Sequence, residues 1–241
     1  MRTDDQVSWV IVTGASSGIG LALVKKLLNA DFHVLGISRH FDDPVGDHER
    51  FRMQFMDLSD IDALPAQLTE LVDSIEEPVR ALINNAGVGK IGHLEQLSYD
   101  DIKVAMDVNY LSHAMVTKAF LPHFKKQGSG DIVFMGSEAS LKGSPQGTAY
   151  CASKFAIRGF TQALRRECGR AGVRVSLINP GATRTAFFED LHYEPGGEES
   201  NAIDPADIAE VILALLQMRS GTVIDEINLS PLSQVWERKT K

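Results

Sequence analysis

Apolar residues are distributed along the chain in two alternating patterns. Short runs of aliphatic and β-branched residues occur at 7–13 (VSWVIVT), 33–38 (HVLGIS), 51–56 (FRMQFM), 81–84 (ALIN), 131–135 (DIVFM) and 173–178 (VRVSLI). Runs of this length and composition predict strands. Between them, apolar positions recur every three to four residues, which predicts helices over about 19–30, 61–75, 99–126, 149–170 and 204–218. The stretch 99–126 carries Pro122 near its end and is expected to hold two helical pieces. Asp204 followed by Pro205 reads as an N-cap and a first-turn proline. A last strand is expected over 222–228 (TVIDEIN). Strands that are apolar on both faces and alternate with helices predict a doubly wound α/β fold. The expected architecture is a parallel sheet of about seven strands, helices on both faces, and a single domain over 1–241. The segment 186–203 breaks the alternation: it is acidic and irregular, and is expected to be a substrate lid.

Composition narrows the class. The chain has 241 residues, 44% of them hydrophobic and 23% charged, with a formal net charge of −8. That balance is ordinary for a soluble globular protein. An acidic chain without a sustained basic run is a poor partner for nucleic acid or an anionic membrane surface. No apolar run is long enough to span a bilayer, and the opening MRTDDQ lacks the character of a leader, so a cytoplasmic location is expected. Cys151 and Cys168 fall on one predicted helix, too far apart to bond to each other. Both are expected to be reduced, with Cys151 a packing residue in spite of its place beside Tyr150. No cluster has metal-ligand spacing.

Chemistry concentrates in 136–154. Tyr150 and Lys154 are four residues apart on a predicted helix and so share a face. A free phenol titrates near pH 10, and a fixed positive charge beside it favours the phenolate. Ser137 follows a predicted strand, at the sheet end where open α/β folds hold ligands. Its hydroxyl can donate to an oxygen on which charge develops. A second candidate site is the turn 14–20 (GASSGIG) between the first strand and the first helix. Glycines there let the backbone approach a pyrophosphate, which rests on the positive helix N-terminus. The second strand ends in Ser38 and Arg39, with no acid to bind a ribose 2′-hydroxyl. Arg39 suits a 2′-phosphate, so NADP(H) is expected over NAD(H).

These motifs occur together in a familiar order. TGASSGIG at 13–20, NNAG at 84–87, Asn109, Ser137, Tyr150 with Lys154, and Pro180-Gly181 resemble the short-chain dehydrogenase/reductase family over about 7–185. The resemblance implies a Rossmann fold and hydride transfer between a nicotinamide cofactor and an alcohol or carbonyl. It makes Tyr150 the general acid/base and Ser137 the donor to the substrate oxygen. It makes Lys154 the residue that lowers the phenol's pKa and holds the nicotinamide ribose, and Asn109 the helix asparagine that holds a water in the proton relay. Gly14, Ser16, Ser17, Gly18 and Ile19 would line the cofactor. Asp57 and Leu58 would contact adenine, and Asn85, Ala86 and Gly87 would form the adenosine-side wall. Pro180, Gly181, Thr183 and Thr185 would lie beside the nicotinamide. Two positions depart from the common pattern: Thr183 stands where valine or isoleucine is frequent, and Ser17 where many NADP-preferring relatives carry a basic residue.

Glu138, Gln146, Phe187, Phe188 and His192 are expected near the substrate mouth, with Arg184 or Lys142 as candidates to meet a carboxylate. The tail GTVIDEINLSPL resembles that of relatives acting on small hydroxy acids and related polar alcohols. Relatives of this size imply a homodimer or homotetramer built on the helices at about 100–126 and 149–170. Two rival readings are a cofactor-binding sensor or scaffold, and an isomerase or dehydratase of the longer, extended relatives. The complete Ser137, Tyr150 and Lys154 set argues against the first, and the short stretch after the last strand against the second.

Overall fold

The computed structural model describes residues 7–41 and 45–239. The charged opening 1–6 and part of the polar loop before the third strand lie outside them. Strands β1 (Trp9–Thr13), β2 (His33–Ser38), β3 (Phe51–Phe55), β4 (Val79–Asn84), β5 (Gly130–Met135), β6 (Val173–Pro180) and β8 (Glu226–Leu229) form one parallel sheet in the order β3-β2-β1-β4-β5-β6-β8. The order reverses between β1 and β4, which creates the switch-point crevice at the carboxyl ends of the strands. Alternation within each strand supplies two cores. On one face Ile11, Leu82, Ile132 and Phe134 pack against α2 (Leu64–Asp73), α4 (Ser112–Gln127) and α5 (Thr148–Cys168). On the other, Val10, Val12, Ile83 and Val133 pack against α1 (Gly18–Asn29) and α6 (Pro205–Gln217). Among the described residues, no helix is long and apolar enough to cross a membrane.

Three elements differ from expectation, and the two helical pieces expected over 99–126 are present with a junction that the sequence did not show. The helix expected over 61–75 shortens to α2, because Pro65 sits at its start and Asp60 Oδ1 accepts from Ala63 N in the turn before it. The stretch 99–126 holds α3 (Tyr99–Met106) and α4, joined by a turn of π-helix at Asp107–Leu111. Pro122 lies inside α4, so the break in winding falls well before it. The last strand of the parallel sheet is β8 rather than 222–228. The ladder reaches back to Asp225 O, which accepts from Leu177 N at 3.1 Å and also from Arg165, whereas Thr222 O is taken by the Arg174 side chain at 3.2 Å. Finally, 186–203 is not irregular. It carries β7 (Tyr193–Pro195) and short 3-10 turns at Ala186–Phe188 and Glu199–Asn201. β7 pairs antiparallel with β9 (Trp236–Arg238), a strand with no clear signal in the sequence.

Candidate active site

The carboxyl ends of β1, β4, β5 and β6 open into a cavity of about 840 Å³. Its floor is the glycine turn. Gly14 has φ +66°, and a Cβ there would lie 2.9 Å from the Ala86 α-carbon. A Cβ on Gly20 would lie 2.0 Å from Gly14 O, so α1 can approach the turn only with glycine at that position. Thr13 fastens this turn to the end of β4. Its hydroxyl accepts from the backbone N–H groups of Asn85 at 2.9 Å and Ala86 at 3.0 Å. The Asn85 side chain donates back to Thr13 O at 2.9 Å and Gly14 O at 3.3 Å. Gly14, Ser17, Gly18, Ile19, Asn85, Ala86 and Gly87 all line the cavity, at the N-terminus of a 12-residue helix. That is an arrangement to which a pyrophosphate fits.

Ser16, Arg39, Asp57 and Leu58 do not line it. Ser16 Oγ hydrogen-bonds Ser38 Oγ at 2.8 Å, which joins the glycine turn to the end of β2. Arg39 and His40 are exposed just beyond. Burial raises the Asp57 carboxyl, but its hydrogen bonds to Ser59 and the charges of Arg39 and His40 outweigh that and leave it below the usual value. Leu58 is buried in the core, so its side chain is not offered to an adenine.

The other end of the cavity holds the acid–base group. Ser137 follows β5 and Gly136, whose N–H is bonded to Ile178 O at 2.7 Å. Ser140 is fully buried, and its Oγ accepts from Ser137 N at 3.0 Å. It therefore shapes the turn, whereas Ser137 lines the cavity beside the Tyr150 phenol. Arg158 holds the same turn from behind, donating to Ser140 O at 3.4 Å while paired with Glu226 at 3.1 Å. Tyr150 and Lys154 lie on one face of α5, and the Lys154 Nζ stands 5.8 Å from the centre of the phenol ring.

The electrostatics differ from the simple expectation for this pair. Burial pushes the Tyr150 phenol up to about 12, against the opposing pull of the Ser137 hydrogen bond. Burial also brings the Lys154 ammonium down to about 8. Lys154 donates to Met135 O at 2.9 Å rather than to the phenol, so here it is not the dominant influence on Tyr150. The ring of Phe187, 5.6 Å from that of Tyr150, helps to cover it.

Asn109 is fully buried at the centre of the π turn, a form of winding found at functional sites. Its amide nitrogen donates to Val88 O and Ser153 Oγ, both at 3.0 Å, and its Oδ1 accepts from Val88 N at 2.8 Å. Those bonds clamp the loop after β4 to α5 and engage both amide hydrogens, so the amide N–H groups are not free to hold a water. His113, one turn on, is buried against Ala86 O at 2.8 Å, and burial holds its imidazole neutral with a pKa of about 3.

Pro180, Gly181, Thr183 and Thr185 line the cavity, as do Glu138, Gln146, Phe187, Phe188 and His192. Arg184 does not: its guanidinium donates to Gly196 O and Glu198 O at 3.0 and 2.9 Å and so braces the segment 186–203. Lys142 lines the cavity 3.9 Å from Glu138. Ile91, Tyr193, Gln234 and Trp236 also line it and escaped the sequence reading. Gly89 lets the chain pass close to the cavity wall, because a Cβ there would lie 2.4 Å from the Phe187 ring. Both cysteines are buried and free, with Cys151 Sγ turned toward Ser144 Oγ at 3.6 Å.

Comparison with known proteins agrees with this geometry. Residues 8–195 match the short chain dehydrogenase family. The human 17-beta-hydroxysteroid dehydrogenase type 1 is 33% identical over 215 residues, covering 83% of this chain and 62% of the human protein. The chain thus spans about three fifths of that relative's length. The NADP-dependent 3-hydroxy acid dehydrogenase of Schizosaccharomyces pombe is 29% identical over 241 residues, covering 93% of each chain. Among solved structures, the alcohol dehydrogenase of the archaeon Thermococcus sibiricus, complexed with 5-hydroxy-NADP, superposes with a TM-score of 0.84 at 25% identity. It covers 95% of this chain and 99% of the archaeal one. The fold, the glycine turn and these matches together identify the chain as a member of the short-chain dehydrogenases.

Proposed function

We propose that this protein is an NADP(H)-dependent oxidoreductase that interconverts a carbonyl compound and its alcohol, with Tyr150 as the proton-transferring group. The observation that carries the reading is the convergence of Ser137, Tyr150 and Lys154 at one end of a cavity whose other end is the glycine turn and the N-terminus of α1. When bound, the nicotinamide cofactor supplies or accepts the hydride. The amides at the start of α1 hold its pyrophosphate, and Asn85, Ala86 and Gly87 flank its adenosine half. Pro180, Gly181, Thr183 and Thr185 border the nicotinamide, and Lys154 faces the adjoining ribose. Arg39 takes the 2′-phosphate, and Ser38 in place of an acid leaves that position free of a repelling charge. The relative named NADP-dependent and the neighbour crystallised with an NADP derivative support this preference.

With its pKa at about 12, the Tyr150 phenol is protonated at neutral pH. It is set to give its proton to an alkoxide as a carbonyl is reduced. Ser137 donates to the same oxygen and stabilises the charge that develops on it. Asn109 acts as a positioning residue, since its side chain holds the Val88 loop against α5. A small hydroxy acid or related polar alcohol is the substrate class that the Schizosaccharomyces pombe relative brings to mind. A carboxylate here would meet Lys142 with Glu138 beside it, so the site favours an uncharged compound over an anion. The segment 186–203 serves as the lid. We further infer a homo-oligomer, because Ile102, Leu111 and Phe155 on α3, the π turn and α5 are exposed. A panel of aldehydes, ketones and keto acids followed by NADPH absorbance, with NADH alongside, tests the reading. Turnover with NADPH is expected, and inertness toward every carbonyl with both nucleotides would overturn it.

A further inference from the structure

Beyond Tyr150 the cavity wall is a continuous row of aromatic rings. Phe187 lies 5.6 Å from Tyr150, Phe188 5.2 Å from Phe187, Trp236 5.7 Å from Phe188, and Tyr193 5.3 Å from Trp236. All of them border the cavity. Trp236 is 43% exposed, an unusual state for an indole that the surrounding chain fixes so firmly.

The fixing is extensive. Around the β7–β9 pairing, Gly196 N donates to Val235 O at 3.0 Å and Lys239 N to His192 O at 3.0 Å. Ser233 N donates to Ser200 O at 2.9 Å, and Asn201 Nδ2 to Ser233 O at 3.0 Å. The Lys239 ammonium donates to Phe188 O and Glu189 O at 2.5 and 3.0 Å. Gln234 donates to Glu138 at 3.0 Å, next to Ser137. Segment 233–239 is therefore woven into the lid at one end and bonded to the Ser137 turn at the other. Its indole is held over the cavity by backbone hydrogen bonds rather than by burial.

Charge near the wall completes the picture. Arg184 is spent on lid carbonyls and Lys142 is paired with Glu138. Successive rings are tilted by 56° to 86°, so the wall offers alternating ring edges and faces. Such a wall packs against an aromatic ring, face or edge, and does little for an anion.

We propose that Trp236 is a specificity-determining residue: the aromatic row binds the ring of an uncharged aryl-substituted carbonyl compound while its oxygen meets Ser137 and Tyr150. The proposal rests on the oxidoreductase reading for the chemistry, but the binding wall can be tested without turnover. The chain has two tryptophans, Trp9 and Trp236. Trp9 opens β1, with its indole N–H donating to Glu77, at the end of the sheet away from the cavity. In a Trp9→Phe protein, Trp236 is then the single indole reporter.

Titration of that protein with 1-phenylpropan-2-one should change its emission saturably, whereas 4-oxopentanoate should not reach saturation in the same range. In turnover with NADPH, Trp236→Ala should raise KM for 1-phenylpropan-2-one about tenfold while leaving KM for butan-2-one within about twofold. NADPH affinity, read by nucleotide fluorescence, should be unchanged and serves as the check that the variant is folded. Trp236→Phe should recover most of the lost selectivity. Equal losses for both ketones, saturation by the keto acid alone, or no saturable emission change with the aryl ketone would each overturn the proposal. Absence of turnover with every carbonyl would sink the oxidoreductase reading instead; the emission titration would still decide the wall.

Discussion

Replacing Lys154 by methionine should make the protein more stable at neutral pH while abolishing its chemistry. Lys154 is only 4% exposed, and burial carries its ammonium from the ordinary 10.5 down to about 8. Below about pH 8 the group is charged in both folded and unfolded chains, so the folded state carries the full cost of burying the charge. Above about pH 10.5 it is neutral in both, and the cost disappears. The separation of the two pKa values corresponds to roughly 3 kcal/mol, at about 1.4 kcal/mol per unit. Methionine has a similar length and no charge, but it forfeits the bond from Nζ to Met135 O, an offset of about 1 kcal/mol. The net gain of about 2 kcal/mol should raise Tm by roughly 4–8 °C at pH 7 for a chain of this size. Paired thermal unfolding of wild type and Lys154→Met without added nucleotide, from about pH 6 to about pH 10, reads it. The gap should be widest below about pH 8 and shrink as pH rises. A variant less stable at pH 7, or a gap that ignores pH, would refute the electrostatic reasoning.

Arg39→Ala should weaken NADPH binding roughly ten- to a hundredfold and leave NADH nearly unchanged, because it removes one charge-assisted contact to the 2′-phosphate. Direct titration by nucleotide fluorescence checks this, and equal weakening of both cofactors would show that Arg39 supports the loop instead. Hydrogen exchange over 186–203 should slow when NADPH and a carbonyl analogue are bound, as expected of a closing lid. Unchanged protection there would make it a static wall. Phe155→Glu, which places a charge on the exposed face of α5, should lower the mass seen by light scattering; an unaltered mass would move the interface elsewhere.

Much of this architecture was legible because parallel strands buried on both faces announce themselves as short apolar runs. The runs at 33–38 and 131–135 became β2 and β5 almost residue for residue. The glycine turn was legible for a related reason, since Gly14 and Gly20 stand where any Cβ would strike neighbouring backbone. The pairing of β7 with β9 was not. Two strands of three residues, 41 positions apart at Pro195 and Trp236, leave no periodicity to read. The π turn was hidden as well, because one extra residue in the winding barely disturbs helical spacing. Residue types pointed to Tyr150 and Lys154, but their titration is set by burial, which depends on Phe187 and other groups far off in sequence. Arg184 shows the same limit from the other side: beside a candidate substrate loop it reads as a carboxylate ligand, yet its donors go to Gly196 O and Glu198 O.

The central claim is that hydride moves between the cofactor and a carbonyl carbon while Tyr150 supplies the proton. The most direct measurement is turnover of NADPH carrying deuterium at both C4 positions of the nicotinamide with a reactive carbonyl, for wild type and Tyr150→Phe side by side. The account predicts deuterium on the carbinol carbon of the wild-type product. It also predicts that the variant binds NADPH normally and turns over about 10²–10⁴-fold more slowly. Product without deuterium, or near-normal turnover by Tyr150→Phe, would contradict it.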